Sequence, residues 1–216
     1  RQMCIRDRYG SGAKAEYGMI DAGPVYYTKT NKKKVDTSNR ARNYLKKQKI
    51  THLKFVLLTH PHQDHIGGMI KILDDPKIKI DTIYGNDFDL KVLQSSKNKN
   101  KQSASTAKLI KYRDDEGIYA QVIAKIQKKV KQKETTYVVP KAGDKVYLGN
   151  ACLTFYGVIN ARYKYARRGD LNYRQVNKYS IVTRLTYKKN SFLFTGDAQK
   201  ETIEQLVKNC LLYTSP

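Results

Sequence analysis

A cluster of histidines sets the strongest limit on how this chain folds. Three of its four histidines, His60, His62 and His65, lie within six residues, and Asp64 lies among them. Neutral imidazole and carboxylate are the usual protein ligands of Zn²⁺. An apolar run of strand length, 55–59, precedes the cluster, and two glycines that open a helical pattern follow it. The pattern therefore favours a metal site at the end of a buried strand over an accidental grouping.

The spacing of these residues indicates more than one metal position. Alternate residues of an extended segment point the same way, so His60 and His62 can reach one metal together. Asp64 and His65 lie at the turn into the next helix and are expected to face a second position. Such dense ligands suit a two-metal centre with its metals about 3.5–4 Å apart. The fourth histidine, His52, lies outside the cluster and is expected at the surface.

Hydrophobic periodicity alternates between strand and helix along the chain. Residues 191–195 are expected to form a short buried strand, and 95–106 a mobile polar loop. The other apolar stretches of strand length are 17–23, 55–59, 80–84, 145–148, 151–156 and 180–187. Helical spacing or helix-start residues mark 36–45, 66–73, 119–130 and 203–207. This mixture predicts a layered domain of the α/β class.

Two motifs around the histidines resemble the metallo-β-lactamase superfamily. Residues 59–68, Thr-His-Pro-His-Gln-Asp-His-Ile-Gly-Gly, look like its H-x-H-x-D-H signature. The segment 17–23, which contains Asp21, resembles its early strand-Asp-x-Gly element. The signature is highly specific, so the resemblance carries weight for the whole domain.

Two later motifs extend the resemblance. Residues 192–197, Phe-Leu-Phe-Thr-Gly-Asp, resemble the family's later strand, whose aspartate bridges two metals. Residues 177–182, Asn-Lys-Tyr-Ser-Ile-Val, are similar to an element of one branch, the hydrolase domain of bacterial ComEC-type competence proteins. The resemblance covers roughly residues 17–208.

The resemblance implies an αββα sandwich with two Zn²⁺ ions, or Mn²⁺ or Fe in some members, at one sheet edge. It implies a hydrolase whose metal-bound hydroxide attacks a phosphorus or carbonyl centre. By position, His60 and His62 would ligate the first metal, and Asp64 and His65 the second. Asp197 would lie between the two metals.

Further roles follow from the same resemblance. Asp21 would orient a ligand histidine by a hydrogen bond, and Asp64 and Asp21 are the residues assigned to catalysis. Many members supply another histidine from the region before the Asp197 strand, where this chain has none. Asn177, Ser180 or a water would take its place as a metal or substrate contact.

The chain is strongly basic, with a formal net charge of +23 and a pI of about 9.8. Such a charge attracts polyanions, including nucleic acid, although scattered lysines are equally consistent with solvated faces. One basic, tyrosine-rich loop suits phosphate and base contacts better than the rest. Its candidate polyanion-binding residues are Arg162, Lys164, Arg167, Arg168 and Arg174.

Three functional hypotheses remain open from the sequence. The first is a hydrolase of phosphodiester bonds in nucleic acid or a related polyanion. The second is a hydrolase of small carbonyl substrates such as lactones, thioesters or β-lactams. The third is a non-catalytic polyanion-binding module with a degenerate metal site, which the absent histidines favour.

Both ends of the chain resemble translated sequencing adapter. We expect residues 1–8 and 210–216 to be non-native, and 9–209 to form one domain that is incomplete at both ends. The compartment, cytoplasmic or cell-surface and extracellular, therefore stays open, as does the oligomeric state. No apolar run approaches the ~18 residues of a membrane helix.

Overall fold

The computed structural model describes residues 5–9, 15–28, 34–86, 114–156 and 177–208. Its strands are β1 (Ile5–Tyr9), β2 (Glu16–Ile20), β3 (Tyr26–Thr28), β4 (Lys34–Asp36), β5 (His52–Leu57), β6 (Lys79–Tyr84), β7 (Thr136–Val138), β8 (Lys145–Leu148), β9 (Ala151–Phe155), β10 (Thr183–Tyr187) and β11 (Asn190–Phe194). Its helices are α1 (Arg40–Lys47), α2 (Gln63–Ile66), α3 (Met69–Leu73), α4 (Asp114–Lys131) and α5 (Lys200–Lys208), with a 3₁₀ turn at Asn177–Tyr179.

The first sheet has five strands in the order β1-β2-β5-β6-β7. Strands β2, β5, β6 and β7 are parallel, and β1 pairs antiparallel with β2 at the edge. The central strand β5 is buried on both faces, as its continuous apolar run predicts. Val56 packs with the helices, while Phe55 and Leu57 face the second sheet. The carboxyl ends of β2, β5 and β6 therefore lie at one edge.

The second sheet has four antiparallel strands in the order β11-β10-β9-β8. Leu153, Phe155 and Leu185 pack between the two sheets. On the far side of this sheet, Val182 packs with Leu206 of α5. Because helices α1 to α4 cover the other face of the first sheet, the described residues form four layers. The predicted αββα arrangement is thus confirmed.

Two glycines between α2 and α3 let this turn pack closely against the segment that follows β2. A Cβ on Gly67 would overlap the Val25 backbone nitrogen, and one on Gly68 would overlap the Ala22 carbonyl oxygen. Backbone bonds join the same segments, since Ala22 N–H donates to the His65 carbonyl at 2.7 Å. The expected single helix is therefore two short helices around a glycine turn.

Strand β11 departs from the sequence prediction, because it is exposed where a buried strand was expected. Phe192 is 56% exposed and Leu193 is 46% exposed. This strand ends the second sheet, and within the described residues no further strand pairs with its outer edge. The apolar run correctly indicated a strand, but the exposure depends on its place in the sheet.

Other differences concern short strands. The sequence excluded residues 1–8 from the fold, whereas Ile5–Tyr9 pairs with β2 in register, with Ile5 opposite Ile20. An edge strand pairs through backbone groups and needs no side-chain pattern. Strands β3, β4 and β7 have three residues each and were not predicted.

Several expectations fall outside the described residues. These are the mobile loop at 95–106, the basic loop from Arg162 to Arg174 and the end at 210–216. In the described part of the chain, no helix combines the length and apolar character that crossing a bilayer requires.

Candidate metal centre

The candidate site lies where three strand ends meet. Asp21 directly follows β2, and Thr59 and His60 follow β5, so the parallel sheet brings them to one edge. Asp197 follows β11 of the second sheet and faces this edge, with its Oδ1 3.2 Å from His65 Nε2. The two sheets therefore deliver the histidine cluster and a distant aspartate to the same place, as the resemblance implied.

Three ligand atoms converge on one position. His60 Nε2 lies 3.1 Å from His62 Nδ1 and 3.8 Å from Asp197 Oδ2. All three ligand atoms lie within 4.8 Å of one another. Tetrahedral Zn²⁺ with bonds near 2.0–2.1 Å requires ligand atoms about 3.3 Å apart. The observed separations bracket that value, so these side chains fit a divalent metal.

Of the predicted second pair of ligands, Asp64 and His65, it is His65 that borders the first position. His65 Nε2 faces the other carboxylate oxygen of Asp197, Oδ1, so this carboxylate presents one oxygen to each side. Within the described ranges, Asp64 is not part of a three-residue cluster as tight as that of His60, His62 and Asp197. The Oδ1 atom of Asp64 is buried and makes no hydrogen bond with the described residues. This oxygen is therefore available to a cation.

Asp21 is the hub of a buried hydrogen-bond network. Thr59 N–H donates to its Oδ1 at 2.9 Å. Its Oδ2 accepts from the Thr59 hydroxyl and from His65 Nδ1, each at 2.7 Å. Asp21 also adopts a positive φ of 55°, which is unusual for a residue other than glycine. Its carboxylate thus orients His65, in the way the sequence predicted for a ligand histidine.

The two histidines that contact Asp197 have opposite pKa shifts in the metal-free protein. Burial, together with the neighbouring charge of His65, lowers the pKa of His60 to about 3. Burial also acts to lower the pKa of His65, but the hydrogen bonds that His65 donates to Asp197 and Asp21 outweigh burial and raise the pKa to about 10. The hydrogen bond from His65 lowers the pKa of Asp197. His60 is therefore neutral and ready to ligate, whereas a metal at His65 must displace a proton.

Ser180 holds the Asp197 turn, and Asn177 bonds the backbone of Ser180. Asp197 N–H donates to Ser180 Oγ at 3.1 Å, and Ser180 N–H donates to the Asn177 carbonyl. Gly196 has a positive φ of 53°, and a Cβ there would press on Ser180 and Thr59. The observed contact gives Ser180 a positioning role for Asp197. A direct metal or substrate contact by Asn177 or Ser180 stays a prediction.

Two residues of this site were not assigned a role from the sequence. Thr59 contacts both Asp21 and His60, and its carbonyl accepts from Ile181 N–H at 3.0 Å. Asn86, buried at the end of β6, donates its amide to the same carbonyl at 3.3 Å. The sequence could have indicated the role of Thr59, because a residue with a hydroxyl directly precedes His60.

His52, in contrast, lies away from the cluster, as expected. It is exposed at the start of β5, and its Nε2 lies 2.7 Å from Asp81 Oδ1. The candidate polyanion-binding arginines and lysine at 162–174 lie outside the described residues.

Comparison with known proteins gives a family for this site. The family model of the metallo-beta-lactamase superfamily matches residues 17–137. A search of curated proteins gave no significant match. Similar solved structures include the metallo-beta-lactamase fold protein YhfI from Bacillus subtilis, at 15% identity and a TM-score of 0.45, over 95% of this chain and 60% of that one. Zn²⁺-bound PqqB from Methylobacterium extorquens is similar at 10% identity and a TM-score of 0.43, over 91% of this chain and 55% of that one.

The chain thus spans little more than half the length of these two solved proteins. The family match includes Asp21, the whole His60–His65 cluster, all of β5 and β6 and most of β2 and β7. Because that match extends over more than half of the chain, the chain belongs to the metallo-beta-lactamase superfamily.

Proposed function

We propose that this chain is a metal-dependent hydrolase of phosphodiester bonds in nucleic acid or a related polyanion. The superfamily consists generally of metal-dependent hydrolases. The observation that carries the proposal is the convergence of His60, His62 and Asp197 on one position. Three protein ligands with room for a fourth group are typical of catalytic zinc sites, whereas structural sites are closed by four.

The side chains of this site have two kinds of role: some are metal ligands, and one orients a ligand. His60, His62 and Asp197 hold the first metal, and Asp64 and His65, with the second oxygen of Asp197, accommodate another. When bound, Zn²⁺ or a similar cation supplies an activated water and neutralises charge on the attacked group. Asp21 holds His65 in place through its Nδ1. Asp197 is 41% exposed at its side chain, so substrate can approach from that side.

The basic charge of the chain favours a phosphodiester over a small neutral substrate. A net charge of +23 raises the local concentration of polyanions and speeds their association. The element 177–182 resembles that of ComEC-type proteins, and this resemblance supports the same substrate class. The alternatives that an assay must separate are hydrolysis of small carbonyl compounds and non-catalytic polyanion binding with a degenerate metal site.

A substrate panel tests the proposal. The full chain, loaded with Zn²⁺ or Mn²⁺, is assayed with bis-nitrophenyl phosphate, single-stranded DNA and a lactone. We expect metal-dependent cleavage of the two phosphodiesters, lost in His60→Ala and retained in the matched variant His52→Ala. Cleavage of the lactone alone would refute the phosphodiester assignment. Bound metal, measured by elemental analysis, without turnover of any substrate would favour the binding module.

A further inference from the structure

We infer that Thr59 is a positioning residue whose hydroxyl holds His60 in the Nδ1–H tautomer, so that the Nε2 lone pair faces the metal position. This inference rests on the proposed ligand role of His60. It concerns a residue to which neither the motif nor the family match assigns a task.

The Thr59 hydroxyl lies between two partners in a buried place. Its Oγ1 is 2.7 Å from Asp21 Oδ2 and 3.0 Å from His60 Nδ1. Thr59 is 1% exposed, so water does not compete for the hydroxyl. A threonine hydroxyl has one proton to donate and can accept from other donors. It therefore donates to one partner and accepts from the other.

The surroundings of Asp21 decide the direction. Its Oδ1 faces Thr59 N–H, and its Oδ2 faces both the Thr59 hydroxyl and His65 Nδ1. An ionised carboxylate only accepts, and hydrogen bonds to it are short and strong. If the hydroxyl proton pointed to His60 instead, the lone pairs of Thr59 Oγ1 and Asp21 Oδ2 would face each other at 2.7 Å. The hydroxyl therefore donates to Asp21 and accepts from His60, which must carry its proton on Nδ1.

The other tautomer would disable the site. His60 Nε2 lies 3.1 Å from His62 Nδ1, which is hydrogen-bonding distance. A proton on His60 Nε2 would form an N–H···N bond between the two ligands and occupy both of their ligand atoms. By fixing the proton on Nδ1, Thr59 excludes donation from His60 Nε2 to His62 and leaves the Nε2 lone pair of His60 available to a metal. Partners of this kind around a ligand histidine are typically worth about 10- to 100-fold in metal affinity.

Nitrogen NMR of the metal-free full chain tests the inference directly. In the ¹⁵N-labelled wild type at neutral pH, we expect His60 to show a protonated Nδ1 and an unprotonated Nε2. His60 observed as the Nε2–H form, or as a mixture of both forms, would overturn the inference. This measurement needs no variant and no substrate, so absence of hydrolysis would count against the proposed function alone.

Two variants of Thr59 test the consequence for metal binding. Thr59→Val should convert His60 at least partly to the Nε2–H form and weaken Zn²⁺ binding, measured by calorimetry, by about 10- to 100-fold. Thr59→Ser keeps the hydroxyl and should restore both the tautomer and most of the affinity. Thr183→Val is the matched control, because Thr183 is fully buried and its hydroxyl has no partner among the described residues. Equal affinities in the wild type and Thr59→Val would refute the role.

Discussion

Raising the pH should destabilise the metal-free protein through His65. Its pKa is raised from 6.5 to about 10 by the hydrogen bonds that it makes with Asp197 and Asp21, which outweigh its burial. In the unfolded chain, the imidazole loses its proton near pH 6.5. Between pH 6.5 and about 10, the folded state therefore binds one more proton than the unfolded state. Its contribution to stability is complete below pH 6.5 and is lost as the pH rises to about 10.

The size of the effect follows from the difference between the two pKa values. A difference of about 3.5 units at 1.36 kcal/mol per unit corresponds to about 5 kcal/mol as an upper limit. This is a large fraction of the 5–15 kcal/mol that typically stabilises a domain. The lowered pKa of His60, about 3, acts in the opposite direction but only below pH 6.5. The window from pH 6.5 to 10 therefore isolates His65 from His60.

Urea unfolding in the presence of a chelator measures this contribution. The wild type and His65→Gln are unfolded at several values between pH 6 and pH 10, and the difference in their free energies of unfolding is plotted against pH. Subtracting the variant removes the other groups that titrate in this range. We expect the difference to decline steadily, by several kcal/mol, towards pH 10. A difference that stays constant over the range would show that His65 is neutral in the folded protein and would refute the charge arrangement.

Four further substitutions test other parts of the structure. His62→Ala should abolish metal uptake, and normal metal stoichiometry by elemental analysis would contradict its ligand role. Gly68→Ala should destabilise the protein by about 1–3 kcal/mol in urea unfolding, because its Cβ would overlap the Ala22 carbonyl; an unchanged midpoint would show that the turn can move. Phe192→Ala should change stability by only about 0.5 kcal/mol, whereas Phe155→Ala, fully buried between the sheets, should cost about 3–5 kcal/mol. Similar losses for both phenylalanines would mean that β11 is covered.

The parts of the site that are local in sequence could be predicted from residues alone. The strand β5, the cluster from His60 to His65 and the glycine turn are contiguous, so their periodicity and ligand types appear together in one short segment. Asp197 could not be placed by spacing, since it lies on the other sheet. Its position near His65 was expected only through the resemblance, and the geometry places it there.

The exposure of β11 shows what a local pattern cannot determine. Phe192 and Leu193 have the composition of a buried strand, and the strand itself forms as expected. Burial depends on which elements lie around a strand, and within the described ranges β11 has a paired neighbour, β10, on one side only. For the same reason the three-residue strands β3, β4 and β7 escaped prediction, because so short a segment pairs only when tertiary contacts place its partner.

The backbone of Asp21 indicates why an aspartate lies at this turn at all. Its positive φ of 55° costs an ordinary residue about 1–2 kcal/mol, and glycine would adopt it freely. A turn selected only for shape would therefore favour glycine here. What glycine lacks is the carboxylate that accepts from Thr59 and His65. Backbone strain retained at a place where it secures hydrogen bonds to a ligand histidine is typical of functional sites. The strained turn and the metal ligands are therefore parts of one arrangement, in which Asp21 orients His65 directly and acts on His60 through Thr59.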